Sequence, residues 1–105
     1  MQLGPNGDLT NYSAAKAGIL GFTRALALEE ATKGITVNAI APGYTATEMV
    51  AAMSQDVLTR IEAQIPVGRL GRPDEIARVV EFLVADDAAF ITGATVSING
   101  GQYMA

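Results

Sequence analysis

The apolar positions of this chain change their spacing along its length, first as in a helix and then as in a strand. From Ser13 to about Thr32, leucine, isoleucine and phenylalanine mix with many alanines at helical spacing, which predicts a helix with smooth sides. Lys33 and Gly34 then supply a basic last turn and a glycine stop. The preceding run Gly4–Thr10 is rich in turn-forming residues and is predicted to be a loop.

The next pattern is typical of a parallel sheet. The run Ile35–Ala41 is β-branched, nearly all apolar and uncharged, which predicts a strand buried on both faces, and a second strand is predicted over Ala94–Ile98. Helices are predicted over Thr47–Met53, over Gln55–Gln64, and from Arg72 to about Ala85, where proline and two acids open the first turn. This α/β alternation predicts right-handed crossovers in a parallel sheet.

Two strands cannot complete such a sheet. A central strand buried on both faces needs a neighbour on each edge, and the predicted elements supply only one. A chain of 105 residues also fits at most one small domain with little stability to spare. We therefore expect this chain to be part of a larger domain.

Composition removes several function classes. The net charge is -4 and the seven basic residues are scattered, so no basic stripe predicts nucleic-acid binding. The absence of cysteine and histidine excludes a disulfide framework, a thiolate nucleophile, a Ser-His-Asp triad and the usual zinc ligands, and we expect no metal. No run approaches the roughly 20 apolar residues of a membrane span. The first residues lack the features of a signal peptide, so we expect a cytoplasmic protein that is not bound to a membrane.

One pair of residues could carry acid chemistry. Tyr12 and Lys16 are four apart, which puts them on one helix face with Cβ atoms about 5–6 Å apart. A phenol has a pKa of about 10, and a nearby positive charge favours the phenolate, so Tyr12 could exchange a proton near neutral pH. A general acid of this kind is needed where hydride adds to a ketone. The same spacing also arises on a partly exposed helix face with a lysine that reaches to solvent.

Four motifs in order carry a family resemblance. They are the stretches Asn11–Gly18, Asn38–Gly43 and Gly68–Ala77, and Ile91–Gly93 with Asn99–Gly101. Together they resemble the short-chain dehydrogenase/reductase family over nearly the whole chain. The resemblance implies the C-terminal part of a doubly wound Rossmann-type parallel sheet, with two strands and about four helices in residues 1–105 and the dinucleotide-binding half absent.

Within that family the chain is most similar to the acetoacetyl-CoA reductases. Tyr44, the run Ala46–Val50, the run Ile65–Gly71 and Asn99 carry this finer resemblance. It implies reduction of a 3-oxoacyl thioester to the 3-hydroxyacyl thioester with NADPH, although NADH is not excluded, and with an acyl-CoA substrate as in polyhydroxyalkanoate synthesis. The 3-oxoacyl-acyl-carrier-protein reductases of fatty acid synthesis share most of these residues and are the alternative.

The resemblance also implies roles for individual residues. Tyr12 would be the general acid, and Lys16 would bind the nicotinamide ribose and lower the pKa of Tyr12. Pro42, Gly43, Tyr44 and Thr45 would line the nicotinamide, and Thr47 would donate its hydroxyl to the cofactor, while Tyr44 would also lie over the acyl thioester. The plainer alternatives are a strand-ending turn at Pro42-Gly43, a helix cap at Thr47 and a packing residue at Tyr44.

Three further side chains have mainly structural interpretations. Asn38 lies inside the first predicted strand and should find backbone hydrogen-bond partners. Arg69 and Arg72 could approach a CoA phosphate, but the sequence favours solvated loop arginines.

The chain also departs from the family pattern. The catalytic serine would precede Met1, and the glycine-rich dinucleotide loop and the catalytic asparagine are missing from the 105 residues. Gly7, Asp8 and Leu9 stand where acetoacetyl-CoA reductases carry an aromatic residue and a glutamine. We therefore expect no turnover by the isolated chain. The resemblance also implies a homo-tetramer for the full-length protein, so a non-catalytic association fragment is a second hypothesis.

Overall fold

A computed structural model of the chain describes residues 5–103, without the side chains of residues 5–12 and of Met49. The described part contains four α-helices and two strands. The elements are α1 (Pro5–Glu30), β1 (Ala39–Pro42), α2 (Glu48–Ala51), α3 (Gln55–Ala63), α4 (Pro73–Val84) and β2 (Thr95–Ile98), with short 3-10 helices at Ala31–Lys33 and Asp86–Ala88. The predicted α/β class, with two strands and four helices, is confirmed.

The two strands pair directly and run parallel. The amide of Ala39 donates to the carbonyl of Ala94 at 2.9 Å, and the amide of Gly43 donates to Ile98 at 2.9 Å, so the partners advance together along both strands. β1 begins later than the predicted strand Ile35–Ala41, and residues 36–41 are half-buried instead of buried on both faces. The reason is that β1 has one neighbouring strand in the described part of the chain.

The chain divides into two compact units. One unit runs through Ala39 and includes Ala89–Thr95. It contains α1, which begins at Pro5, so the loop predicted over Gly4–Thr10 is wrong from Pro5 onward, while Gly4 lies outside the described residues. Proline suits the first helical position because its missing amide hydrogen would have no partner there.

The end of α1 follows the sequence prediction. Gly34 has φ 75°, the left-handed conformation, and its amide donates to Ala31 at 3.1 Å. Among the described side chains of α1, Thr23 and Ala27 are buried. Gly93 packs against Ala27, because a Cβ built at Gly93 would lie 3.5 Å from the Cβ of Ala27.

Asn38 binds the backbone of the same unit, as predicted. Its Nδ2 donates to the carbonyl of Ile91 at 3.0 Å, and its Oδ1 accepts from the amide of Ala94 at 3.0 Å. Beside it, the amide of Val37 donates to the hydroxyl of Thr92 at 3.0 Å. These bonds join the segment before β1 to the turn before β2.

The second unit comprises Ile40–Ala88 and the chain from Val96 onward. Its buried apolar residues are Ile65, Leu83 and Ala88. α4 begins and ends within one residue of the prediction, and Glu75 accepts a hydrogen bond from the amide of Arg72, which closes the amino-terminal end of the helix. No helix in residues 5–103 is long and apolar enough to cross a membrane.

Candidate functional site

The predicted acid pair lies on α1. Tyr12 and Lys16 both fall within one uninterrupted helix, four residues apart in sequence. Lys16 is half-buried. The side chain of Tyr12 lies outside the described residues, so the predicted contact between phenol and ammonium stays a prediction.

Apart from the pair on α1, the predicted cofactor-binding residues occupy one segment, which runs from Pro42 at the end of β1 to Thr47. At Gly43 the backbone of this segment passes very close to Asn99. A Cβ at Gly43 would lie 2.7 Å from the Cβ of Asn99 and 2.9 Å from its Cα, closer than real Cβ atoms come to other heavy atoms. Because the obstacle includes backbone, only glycine fits here. Gly43 therefore lets the ends of β1 and β2 lie against each other, beyond its expected role in a turn.

The residues after Gly43 are held through their backbone. The amide of Gly71 donates to the carbonyl of Tyr44 at 2.9 Å, and the amide of Ala46 donates to the carbonyl of Gly71 at 2.8 Å, which forms a parallel bridge between Thr45 and Gly71. The hydroxyl of Thr45 donates to Gly43 at 3.2 Å. The ring of Tyr44 takes no part in these bonds, and 44% of the residue is exposed.

Thr47 caps α2. Its Oγ1 accepts a hydrogen bond from the amide of Val50 at 3.4 Å, which is the N-cap arrangement that the sequence offered as an alternative. A hydroxyl that accepts one bond still has its own proton to donate. Thr47 is exposed, so the cap and a contact with a ligand are compatible.

A cleft of about 160 Å³ lies beside this segment. Its lining combines one aromatic ring, aliphatic side chains, glycines and an ion pair: Tyr44, Ile65, Val67, Arg69, Gly71, Glu75, Ile98, Asn99 and Gly100. Tyr44 is the one predicted site residue that lines it. The others were missed as site residues because they come from two separate stretches of the sequence, 65–75 and 98–100, although both stretches overlap motifs of the family resemblance.

The turn after β2 forms one wall of the cleft. Gly100 has φ 64°, and a Cβ there would lie 2.7 Å from Cγ2 of Ile65. The amide of Val67 donates to the carbonyl of Gly100 at 3.1 Å. The side chain of Asn99 holds the turn from inside, because its Oδ1 accepts from Gly101 at 3.0 Å and its Nδ2 donates to the carbonyl of Tyr103 at 2.9 Å.

An ion pair lies at the edge of the cleft. Arg69 donates from Nη1 to Oε1 of Glu75 at 2.7 Å and from Nη2 to Oε2 at 3.0 Å. The hydrogen bonds from Arg69, followed by the bond from the amide of Arg72, lower the pKa of Glu75 from 4.5 to about 2. The carboxylate in turn raises the pKa of Arg69. Arg72 pairs with Asp74 at 3.1 Å. Both loop arginines therefore bind carboxylates, and both side chains are partly exposed.

The predicted site residues divide between the two units. Tyr12 and Lys16 belong to the first, and the segment 42–47 with the cleft belongs to the second. Within the second unit the structure brings Tyr44, Thr45 and Thr47 onto one exposed or half-exposed segment. This unit can offer hydroxyl donors, a phenol ring and an apolar cleft, which suit a ligand with polar and acyl parts.

Comparisons with known proteins show which proteins the chain is similar to. A family model described as Enoyl-(Acyl carrier protein) reductase matches residues 2–102. The chain is 70% identical over 94 residues to an acetoacetyl-CoA reductase of Shinella zoogloeoides and 69% identical over 96 residues to one of Rhizobium meliloti (strain 1021), with 89% and 90% of this chain covered. It is 54% identical to a 3-oxoacyl-acyl-carrier-protein reductase of Escherichia coli (strain K12), with 94% covered. The chain spans only 39%, 40% and 41% of these relatives.

Proposed function

Because the chain belongs to the short-chain dehydrogenase/reductase family, we propose that residues 1–105 are the C-terminal part of a reductase domain that converts acetoacetyl-CoA to the 3-hydroxyacyl thioester. The observation that carries the substrate is the identity of 70% to an acetoacetyl-CoA reductase, against 54% to an acyl-carrier-protein reductase. The cleft beside Tyr44, with aliphatic walls, supports an acyl substituent.

The residues of this chain suit a nicotinamide cofactor. Thr47 is exposed and keeps a hydroxyl proton to donate, and Lys16 brings an ammonium to α1. In the proposal Lys16 holds the ribose hydroxyls, Pro42 to Thr45 line the nicotinamide, and Thr47 binds the carboxamide or a phosphate. Bound NADPH would supply the hydride.

The chemical task of Tyr12 is to supply the proton. As the carbonyl carbon gains hydride, its oxygen becomes an alkoxide, and the phenol of Tyr12 donates its proton to that oxygen. Lys16, one helical turn away, stabilises the phenolate that remains and keeps Tyr12 acidic near neutral pH. Tyr44 covers the thioester side of the substrate.

The test uses a chimera. This chain replaces the matching C-terminal portion of the Shinella zoogloeoides reductase, and NADPH oxidation with acetoacetyl-CoA is followed. We expect turnover, and we expect Tyr12→Phe to lower kcat by about 10²–10⁴-fold with a small change in KM, because only the transferred proton is lost. Tyr103→Phe is the matched control and should leave kcat within about twofold.

Each part of the proposal can fail separately. Turnover retained in Tyr12→Phe would remove the acid role. A chimera active only on acyl-carrier-protein thioesters would favour the alternative substrate. The isolated 105-residue chain should show no NADPH-dependent reduction, because its sequence lacks the glycine-rich loop that binds the pyrophosphate, and measurable turnover would contradict this.

An association role is the second candidate, because α1 exposes large apolar side chains. Ile19 is 59% exposed, Phe22 67% and Leu28 79%, and such a surface favours contact with another protein copy. Size-exclusion chromatography with light scattering tests this on the chain itself. Concentration-dependent oligomers support association, whereas a monomer with cooperative unfolding opposes it.

A further inference from the structure

Glu75 joins the start of α4 to the loop before it. Its carboxylate accepts three hydrogen bonds, two from the guanidinium of Arg69 at 2.7 and 3.0 Å and one from the amide of Arg72 at 2.9 Å. The same Nη1 of Arg69 donates to the carbonyl of Leu70 at 3.0 Å. The last part of the loop is thus closed over the first turn of α4.

Gly71 lies between these two arginines and carries the contact with the site segment. It donates to Tyr44 at 2.9 Å and accepts from Ala46 at 2.8 Å, both through the backbone. Earlier in the loop, Val67 is fixed independently by its bond to Gly100 at 3.1 Å. The position of Gly71, and through it of Tyr44, therefore depends on the ion pair that holds the residues on either side of Gly71.

We propose that Arg69 and Glu75 are positioning residues, whose ion pair fixes Gly71 and so sets the place of Tyr44 at the acyl side of the cleft. The prediction for substrate affinity rests on the proposed function, whereas the prediction for the backbone does not. Two parallel hydrogen bonds make the planar guanidinium a rigid connector, which a lysine ammonium cannot reproduce.

The size of the effect follows from exposure. The side chains of Arg69 and Glu75 are 48% and 31% exposed, so water screens the pair, and its loss should open the bridge without unfolding the chain. We expect the backbone bridge between Thr45 and Gly71 to open about threefold to tenfold more often.

Amide hydrogen exchange in the 105-residue chain tests the backbone effect. Glu75→Gln keeps an oxygen to accept from the amide of Arg72, so the helix end stays closed while the ionic bond to Arg69 is lost. Exchange at Gly71 and Ala46 should rise about threefold to tenfold. Asp74→Asn is the matched control, because it removes the neighbouring carboxylate, which accepts from Nε of Arg72, and keeps both bonds between Arg69 and Glu75, so both amides should be unchanged.

The amide of Ala39 separates local opening from general loss of stability. It donates to Ala94 and has no contact with the ion pair. Unchanged exchange at Gly71 and Ala46 in Glu75→Gln would overturn the proposal. An equal rise at Ala39 would also overturn it, since the ion pair would then serve stability alone.

The kinetic test uses the chimera described above and decides the question on its own where the amides exchange too fast to follow. Arg69→Lys and Glu75→Gln should each raise KM for acetoacetyl-CoA about threefold to tenfold and leave kcat within about twofold, with Asp74→Asn unchanged. If either variant lowered kcat at constant KM, the positioning role would be overturned. It would also be overturned if Arg69→Lys kept the KM of the unchanged chimera. If amide exchange rises in the 105-residue chain but the chimera is inactive, the proposed function is refuted, while the proposed effect on the backbone stands.

Discussion

Gly43→Ala should destabilise the second unit strongly. A Cβ at this position would lie 2.7 Å from the Cβ of Asn99 and 2.9 Å from its Cα. Ordinary carbon contacts lie near 3.5–4.0 Å, so the strands must separate by roughly 1 Å at this point. The same residue carries the hydrogen bond from its amide to Ile98 at 2.9 Å, which that separation would stretch.

The cost can be worked out from these two contributions. Forcing a methyl group into a packed site costs about 1–3 kcal/mol, and weakening one backbone hydrogen bond adds about 0.5–1.5 kcal/mol. The stability lost at Gly43 should therefore be about 2–4 kcal/mol. That is a large part of the roughly 5–15 kcal/mol by which folded domains are stable.

Urea unfolding followed by circular dichroism measures the change. Gly18→Ala is the matched control, because it adds the same methyl group within α1, where a Cβ meets no described atom within 4 Å. Alanine is the better helix former there, so Gly18→Ala should add about 0.5–1 kcal/mol. If Gly43→Ala unfolds at the same urea concentration as the unchanged chain, the steric reasoning is wrong.

Two further predictions concern polar side chains in the same unit. Asn99→Asp removes the donor to Tyr103 and places a carboxylate against that carbonyl, so the free energy of unfolding at neutral pH should fall by about 1–2 kcal/mol, and the loss should shrink in acid, where the protonated carboxyl donates again. For Glu75, the folded pKa of about 2 lies below the ordinary 4.5, so its stabilising contribution is complete above pH 4.5 and is lost as pH falls towards 2. Between pH 4.5 and 2, the free energy of unfolding of the unchanged chain should fall more steeply than that of Glu75→Gln. Parallel curves of this free energy against pH would contradict the assignment.

The elements that the sequence predicted well are those with local signals at both ends. Gly34 ends the 3-10 helix that follows α1 because glycine adopts positive φ, and Pro73 starts α4 because proline suits the first turn. The hydrogen bonds of the Asn38 side chain were predicted because an amide beside a strand must find partners. Residues close in sequence decide the first two features, whereas the partners of Asn38, Ile91 and Ala94, lie 53 and 56 residues away.

The features that the sequence did not predict depend on distant contacts. The strand over Ile35–Ala41 was predicted from composition, but a strand forms only where a neighbour pairs with it, and that pairing starts at Ala39. The cleft likewise depends on the approach of Asn99 and Gly100 to Ile65. The bond between Arg69 and Glu75 joins a loop to a helix end, so no helical spacing indicates it.

In the site segment, the residues that set the course of the backbone differ from those that offer side chains to ligands. Its course is set by Gly43 against Asn99, by the bond from the hydroxyl of Thr45 to Gly43, and by backbone bonds to Gly71. The groups proposed to meet ligands, the ring of Tyr44 and the hydroxyl of Thr47, project from that course without holding it, apart from the one helix cap. Changes at the glycines should therefore act on folding, while changes at Tyr44 should act on substrate affinity with little loss of stability.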